Sequence, residues 1–213
     1  MFFYLYYRIL RKEVNMATKC NSKIYSSLRF CGGKTVLPGI KKAVYFISAD
    51  DIVKWPKLPS IEDAASMADI AVLVGDFGLA ADAKWKRMDV LTTDSDISSE
   101  SQGDAPSKTF INKCNLKHAG RNEEATGFCR MANSDNLVYL VEQRDGGFRV
   151  IGNDMFETNT KPSQASGAKE TDTSGTTIAI EVTDLCPAPF YKGKIETEDG
   201  DIDASTGEAA AKE

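Results

Sequence analysis

The chain holds one histidine in 213 residues, no two cysteines as a close pair, and no apolar stretch long enough to span a bilayer as a helix. Each absence removes a class of function. With a single histidine, His-rich metal centres are excluded and every triad-type mechanism would hang on His118. That residue ends a β-type run just before Gly120, with no Ser or Cys motif beside it, so it reads as a strand-end or interface residue. The five cysteines (Cys20, Cys31, Cys114, Cys129, Cys186) stand at wide, irregular intervals. Structural zinc needs four ligands with at least one close pair, and an odd count leaves no complete disulfide framework. They read as reduced, buried or half-buried thiols that bind no metal.

Two short motifs fail on inspection. Cys31-Gly32-Gly33-Lys34-Thr35 contains the Gly-Lys-Thr that ends a phosphate-binding loop, but the glycine required five residues earlier is Leu28, and Pro38-Gly39 blocks the helix that should follow. Asp94-Ser95-Asp96 has calcium-like spacing without the glycine and final glutamate of a calcium loop. No catalytic, cofactor-binding or metal-ligating residue is assigned, and the chain reads as a non-enzyme.

The net charge of −5 is unevenly placed. Residues 196–213 hold seven acids against Lys212, which leaves a body near +1 and no basic field to hold nucleic acid. This end reads as an acidic flexible tail. At the other end, the aromatic run Met1–Tyr7 precedes Arg8, Arg11 and Lys12, the reverse of a signal peptide's order, and Lys19 occupies the small-residue position of a lipoprotein signal before Cys20. Residues 1–15 read as an upstream-start extension or short arm, with no membrane anchor.

What is present is β-type sequence. Lys42–Ile47 is rich in β-branched and aromatic residues, and Ser48 is placed to cap a short turn that ends before Trp55-Pro56. Ile70–Gly75 reads as a strand, with Lys84–Val90 as its hairpin partner. Phe110, Cys114 and Leu116 alternate with Lys113, Asn115 and Lys117, the period of a half-buried strand. Asn122 caps a helix with Glu123 and Glu124 in its first turn and Ala125, Phe128, Cys129 and Ala132 on one stripe. Leu137–Val141 and Phe148–Gly152 flank an Asp145-Gly146-Gly147 turn, Ile178, Ile180 and Val182 alternate with Thr177 and Glu181, and Phe190-Tyr191 forms an edge piece. Residues 21–42 read as an extended arm. The polar segments 92–108 and 158–174 read as loops, so removal of Ser95–Ala105 is expected to leave the strand core folded. The expected architecture is mainly β: seven or eight strands in an antiparallel β-sandwich or partly closed barrel, with one short flanking α-helix, as a single domain over 16–195.

The order of elements from Thr109 to Asp154, followed by Asp172–Thr177 and Pro187-Ala188-Pro189, resembles phage major tail tube proteins, those of Bacteroidetes phages in particular. The likeness covers roughly residues 40–195 and rests on short motifs. It implies a virion structural subunit made in the host bacterial cytoplasm. Its partners would be itself, as stacked homo-hexameric rings, and other phage tail proteins, with DNA passing through the lumen without specific binding. In that picture the arm at 21–42 and the segment 92–108 are stacking elements. A capsid decoration protein, a head–tail connector or a small hydrolase with an unrecognised site are the alternatives. A chain that begins at Met16 is expected to express, fold and assemble like the full sequence, and loss of folding on that truncation, read by circular dichroism, would make residues 1–15 an integral arm.

Overall fold

The computed structural model describes residues 24–30, 32–33, 35–169 and 174–210. Residues 1–15, Cys20, Cys31 and the end of the acidic tail (211–213) lie outside the described residues. The first half contributes β1 (Ile40–Ser48), β2 (Ile52–Lys54), β3 (Gly78–Leu79), β4 (Lys86–Asp89), β5 (Asp96–Gln102) and β6 (Thr109–His118). Helix α1 (Glu123–Ala132) is followed by β7 (Leu137–Gln143), β8 (Phe148–Ile151), β9 (Asn159–Ala165) and β10 (Gly175–Asp184). The chain then adds β11 (Phe190–Tyr191), β12 (Lys194–Thr197), β13 (Gly200–Asp203) and β14 (Glu208–Ala209). Among the described residues the fold is mainly β and sandwich-like, with the one short α-helix expected from sequence and no sheet closed into a barrel.

The central element is an antiparallel sheet of order β11-β8-β7-β1-β4. In β7, six consecutive residues from Leu137 to Glu142 are buried, which requires both faces of the strand to be covered. On one face Tyr139 and Val141 join Val44 and Ile151 against Cys114, Leu116, Ile178 and Ile180 of a four-stranded sheet of order β5-β6-β10-β9. On the other face Val138 and Leu140 join Tyr45, Phe148 and Val150 against Phe77, Trp85, Tyr191 and Ile195. The molecule is therefore three-layered. The β7–β8 turn needs positive φ at Gly146 and Gly147, and a Cβ on Gly147 would press within 3.2 Å of the Phe190 ring.

Helix α1 begins as its sequence predicts. The Asn122 side chain accepts a hydrogen bond from the Ala125 backbone N–H at 3.0 Å. Its apolar stripe turns inward, with Ala125 and Ala132 buried and Phe128 packed edge-on against Phe46 at a ring separation of 5.1 Å.

Several readings of the sequence are corrected. The segment 92–108 is not one long loop, because β5 pairs residue for residue with β6 from Asp96–Asn115 to Gln102–Thr109. Only residues 103–108 remain as the hairpin connection. Its Ser- and Asp-rich composition hides the strand because a single apolar residue, Ile97, meets the core, and pairing overrides propensity on an edge. The segment 158–174 likewise contains β9, hydrogen-bonded to β10 and carrying Pro162. The expected Ile70–Gly75 strand is a 3-10 turn at Asp69–Ala71 followed by single bridges of Val72 to Phe190 and Val74 to Lys57. Its supposed partner β4 pairs with β1 instead.

The fourth correction concerns the acidic tail. Residues 194–209 form a β12-β13-β14 meander that seals the outer face of the central sheet, with Ile195 and Ala204 fully buried. Its acids face solvent, where Lys84 meets Glu196 at 3.2 Å and Lys194 meets Asp201 at 2.8 Å. Ser48 also departs from its expected role, since its Oγ bonds Asp135 at 3.0 Å rather than capping the turn Ala49–Asp51. These pairings bring the described strands to fourteen rather than seven or eight.

Because β5 is a ladder strand, deleting Ser95–Ala105 should now lower stability by on the order of a few kcal/mol, through lost ladder bonds and exposure of the Cys114 face. Replacing Gly103–Lys108 with a two-residue Asn-Gly turn should cost far less. Urea unfolding of the two variants checks the difference, and equal stability would place the β5 pairing in error.

Candidate functional site

The residues singled out for chemistry are dispersed into structural roles. His118 ends β6, where its Nδ1 lies 2.7 Å from the Asp89 carbonyl oxygen. It borders a cavity of about 210 Å³ whose floor is Phe46, Met88, Phe128 and Ile178, with Arg87, Asp89, Glu124 and Thr176 on its rim and no Ser or Cys among its lining residues. Asp96 accepts a hydrogen bond from the Asn115 side chain at 3.2 Å, and Asp94 lies 3.9 Å from the Lys117 ammonium. The two aspartates are thus spent on neighbouring strands. Cys114 and Cys186 are buried free thiols, pushed up by burial, the latter to about 11, and Cys129 is half-buried on the helix. Among the described residues, no three of His, Cys, Asp or Glu converge as a metal-ligating group, and no helix is long and apolar enough to cross a membrane.

What the fold does create is a large free sheet face. In the four-stranded sheet, Phe110, Asn112, Cys114 and Leu116 of β6 turn inward, so the registered partners at alternate positions turn outward. Outward on β5 are Asp96, Ser98, Glu100 and Gln102, and on β6 Ile111, Lys113, Asn115 and Lys117. Outward on β10 are Thr177, Ala179, Glu181 and Thr183, and on β9 Asn159, Lys161, Ser163 and Ala165. Three acids and three lysines cancel, and they are interleaved: Lys113 lies 3.1 Å from Glu100 and Lys161 3.4 Å from Glu181. Exposed pairs of this kind add little stability. Their effect is to leave a face of small polar groups, near-neutral in charge, with Ile111 its one large apolar side chain.

The sheet also has two unpaired sides. β5 and β9 are its terminal strands and point in opposite directions, since each step across the sheet is antiparallel. Pro162 fits the position of β9 at an edge, because proline is tolerated in a sheet only where no ladder donor is needed.

Sequence reasoning missed the residue that fixes this sheet to the rest. Asn112 is fully buried: its Nδ2 donates to the Cys186 carbonyl at 3.0 Å, and its Oδ1 accepts from Ala188 N–H at 2.9 Å and Ser99 Oγ at 2.6 Å. One amide thus joins β5, β6 and the segment leading to β11. The signal was present, since position 112 is in phase with Phe110, Cys114 and Leu116, but a polar residue there announces burial only through its partners. Asp184, at the end of β10, is also buried; Oδ1 accepts from Leu185 N–H at 2.6 Å while Oδ2 has no hydrogen-bond partner.

Burial raises the Asp184 carboxyl above the usual carboxylate range by more than its hydrogen bonds lower it. A folded-state pKa above the unfolded one means the native chain binds more protons in that window, so stability falls as pH rises from the unfolded toward the folded value. Asp184→Asn should flatten that part of the stability–pH curve and leave the chain at least as stable at neutral pH. Urea midpoints measured from pH 4 to 8 check this, and an unchanged slope would assign the titration elsewhere. No family model, no curated protein and no solved structure matches the chain.

Proposed function

We propose that the chain is a structural subunit that closes into hexameric rings and stacks into a phage tail tube through which DNA passes. The observation that supports it most is the four-stranded sheet: one covered face, one free polar face of cancelled charge, and two open edges of opposite direction. Copies related by rotation about an axis along the strands would set β9 of one beside β5 of the next in antiparallel alignment. A ring built this way removes every open edge of the sheet, the liability that an isolated chain would carry in solution. The free face would then line the lumen. A lumen that passes a polyanion is best served by a surface without a net basic field, since each phosphate neutralised by a fixed cation adds to retention. The lysines of this face are held by Glu100, Asp94 and Glu181, which fits transit rather than grip.

Purified protein examined by negative-stain microscopy across a concentration series should give rings or tubes. A chain that stays monomeric at high concentration would sink the reading. Adjacent residues of an edge strand point their N–H groups alternately to the partner and away. Of Ser98→Pro and Ser99→Pro, one should therefore weaken the β5–β6 ladder, and the other should leave a folded monomer that no longer closes rings. Ring formation by both variants would rule out β5 as the joining edge.

A further inference from the structure

We propose that the cavity beside His118 is a docking site for a second copy of this chain, filled by an apolar plug of Met155, Phe156 and Leu185 from the copy next to it along the tube axis. The contact rests on the ring reading above, in which the strands of the four-stranded sheet run along that axis. Its two halves sit at opposite ends of β10, a strand of 10 residues, roughly 33 Å. Near the N-terminal end, Thr176 and Ile178 line the cavity together with His118, the last residue of β6, which is paired with Thr176. At the C-terminal end, the Asn153 Nδ2 donates to the Thr183 carbonyl at 2.8 Å, and Leu185 directly follows the strand. Cavity and plug are therefore a strand length apart on one subunit.

At the cavity the inner core is left unfinished. Phe46, Met88 and Phe128 pack against that core yet stay only partly buried, and they form the cavity floor between α1 and β4. The space of about 210 Å³ equals roughly seven waters at about 30 Å³ each, room for one ring-bearing side chain. The rim carries both signs. Asp89 lies 2.8 Å from Lys42 and 2.9 Å from Arg87, and Glu124 stands in the first turn of α1. Charge therefore does not choose the occupant, and apolar surface and position do.

The plug is exposed and held in place. Met155, Phe156 and Leu185 are 52%, 43% and 56% exposed. The Asn153 Oδ1 accepts from the N–H groups of Met155 and Phe156 at 3.0 and 2.8 Å, so the asparagine that reaches Thr183 also fixes the turn that carries them. Phe156 is the residue fitted to the cavity. Phe46 and Phe128 already meet edge-on at 5.1 Å, and a third ring extends that packing. An aromatic anchor in an apolar pocket with a polar rim is the kind of contact that carries most of the energy of an interface. A copy displaced along the strands offers its plug to one neighbour and its cavity to the other. The contact is heterologous and does not close on itself, the property a stack needs.

The test uses full-length chains. Phe156→Asp with Leu185→Asp removes the plug at two exposed positions, and circular dichroism melts check that the chain folds. If the pair unfolds it, Phe156→Ser alone is read in the same way. Rings should still form, and lengthening beyond single rings should need at least about tenfold more protein, by sedimentation velocity and negative-stain microscopy. The pairing itself is read by cross-linking. Glu124→Cys on the cavity rim and Met155→Cys in the plug, combined in one chain and treated with a short bis-maleimide after assembly, should give a ladder of covalent multimers. Neither single variant nor the wild type should give it. Lengthening of the plug variant at the wild-type concentration would overturn the pairing. So would tubes of the double-cysteine chain without a ladder, which would assign the cavity another occupant such as Leu28 and Phe30 of the arm. Wild-type rings that never lengthen would overturn it too. A wild-type chain that forms no rings would instead overturn the ring reading on which the contact rests.

Discussion

Strand β7 has no solvent side, and the rest of the structure follows from that constraint. Six buried residues in succession cannot be satisfied by one covering layer, so the chain must supply two. The inner layer is the four-stranded sheet with α1 filling the gap beside Phe46. The outer layer is assembled from pieces too short to stand alone: the β2–β3 bridge, the Phe77 and Trp85 turns, and the β12–β14 meander. Aromatic packing joins these pieces, with Phe77 meeting Trp55, Trp85 and Tyr191 at ring separations of 5.8, 5.2 and 5.1 Å.

This layering decides which surfaces are left over. The central sheet is capped on its β11 side by backbone bonds from Leu73 to Phe190, and on its β4 side by Trp85 bonding Glu196. The four-stranded sheet has spent only its inner face, and Asn112 pins that face to the segment that enters β11. Its outer face and both long edges remain, and they are the features on which the assembly proposal stands. A polar amide at the seam suits this position because removing any one partner would leave a buried donor or acceptor unmet, which fixes the register between layers.

The charge distribution has the same logic. Net charge says little here, because the acids of the C-terminal meander and the lysines of β4 and β12 neutralise one another locally, as do the acids and lysines on the free sheet face.

Much of this was legible in the residues. Alternation in β6 and β10, the unbroken apolar run of β7, the glycine turn after it and the Asn122 cap all carry their structural meaning locally, because side-chain period and turn geometry are set by neighbours in sequence. The mainly β character followed from the same facts. What only the tertiary structure decided was the fate of polar segments. β5, β9 and the meander have one face or one residue in the core, so their composition resembles loops, and they become strands only because β6, β10 and the outer face of the central sheet present unmet backbone groups and bare apolar surface to them. The free face, its cancelled charges and the opposed edges are products of that long-range pairing, which no local pattern encodes.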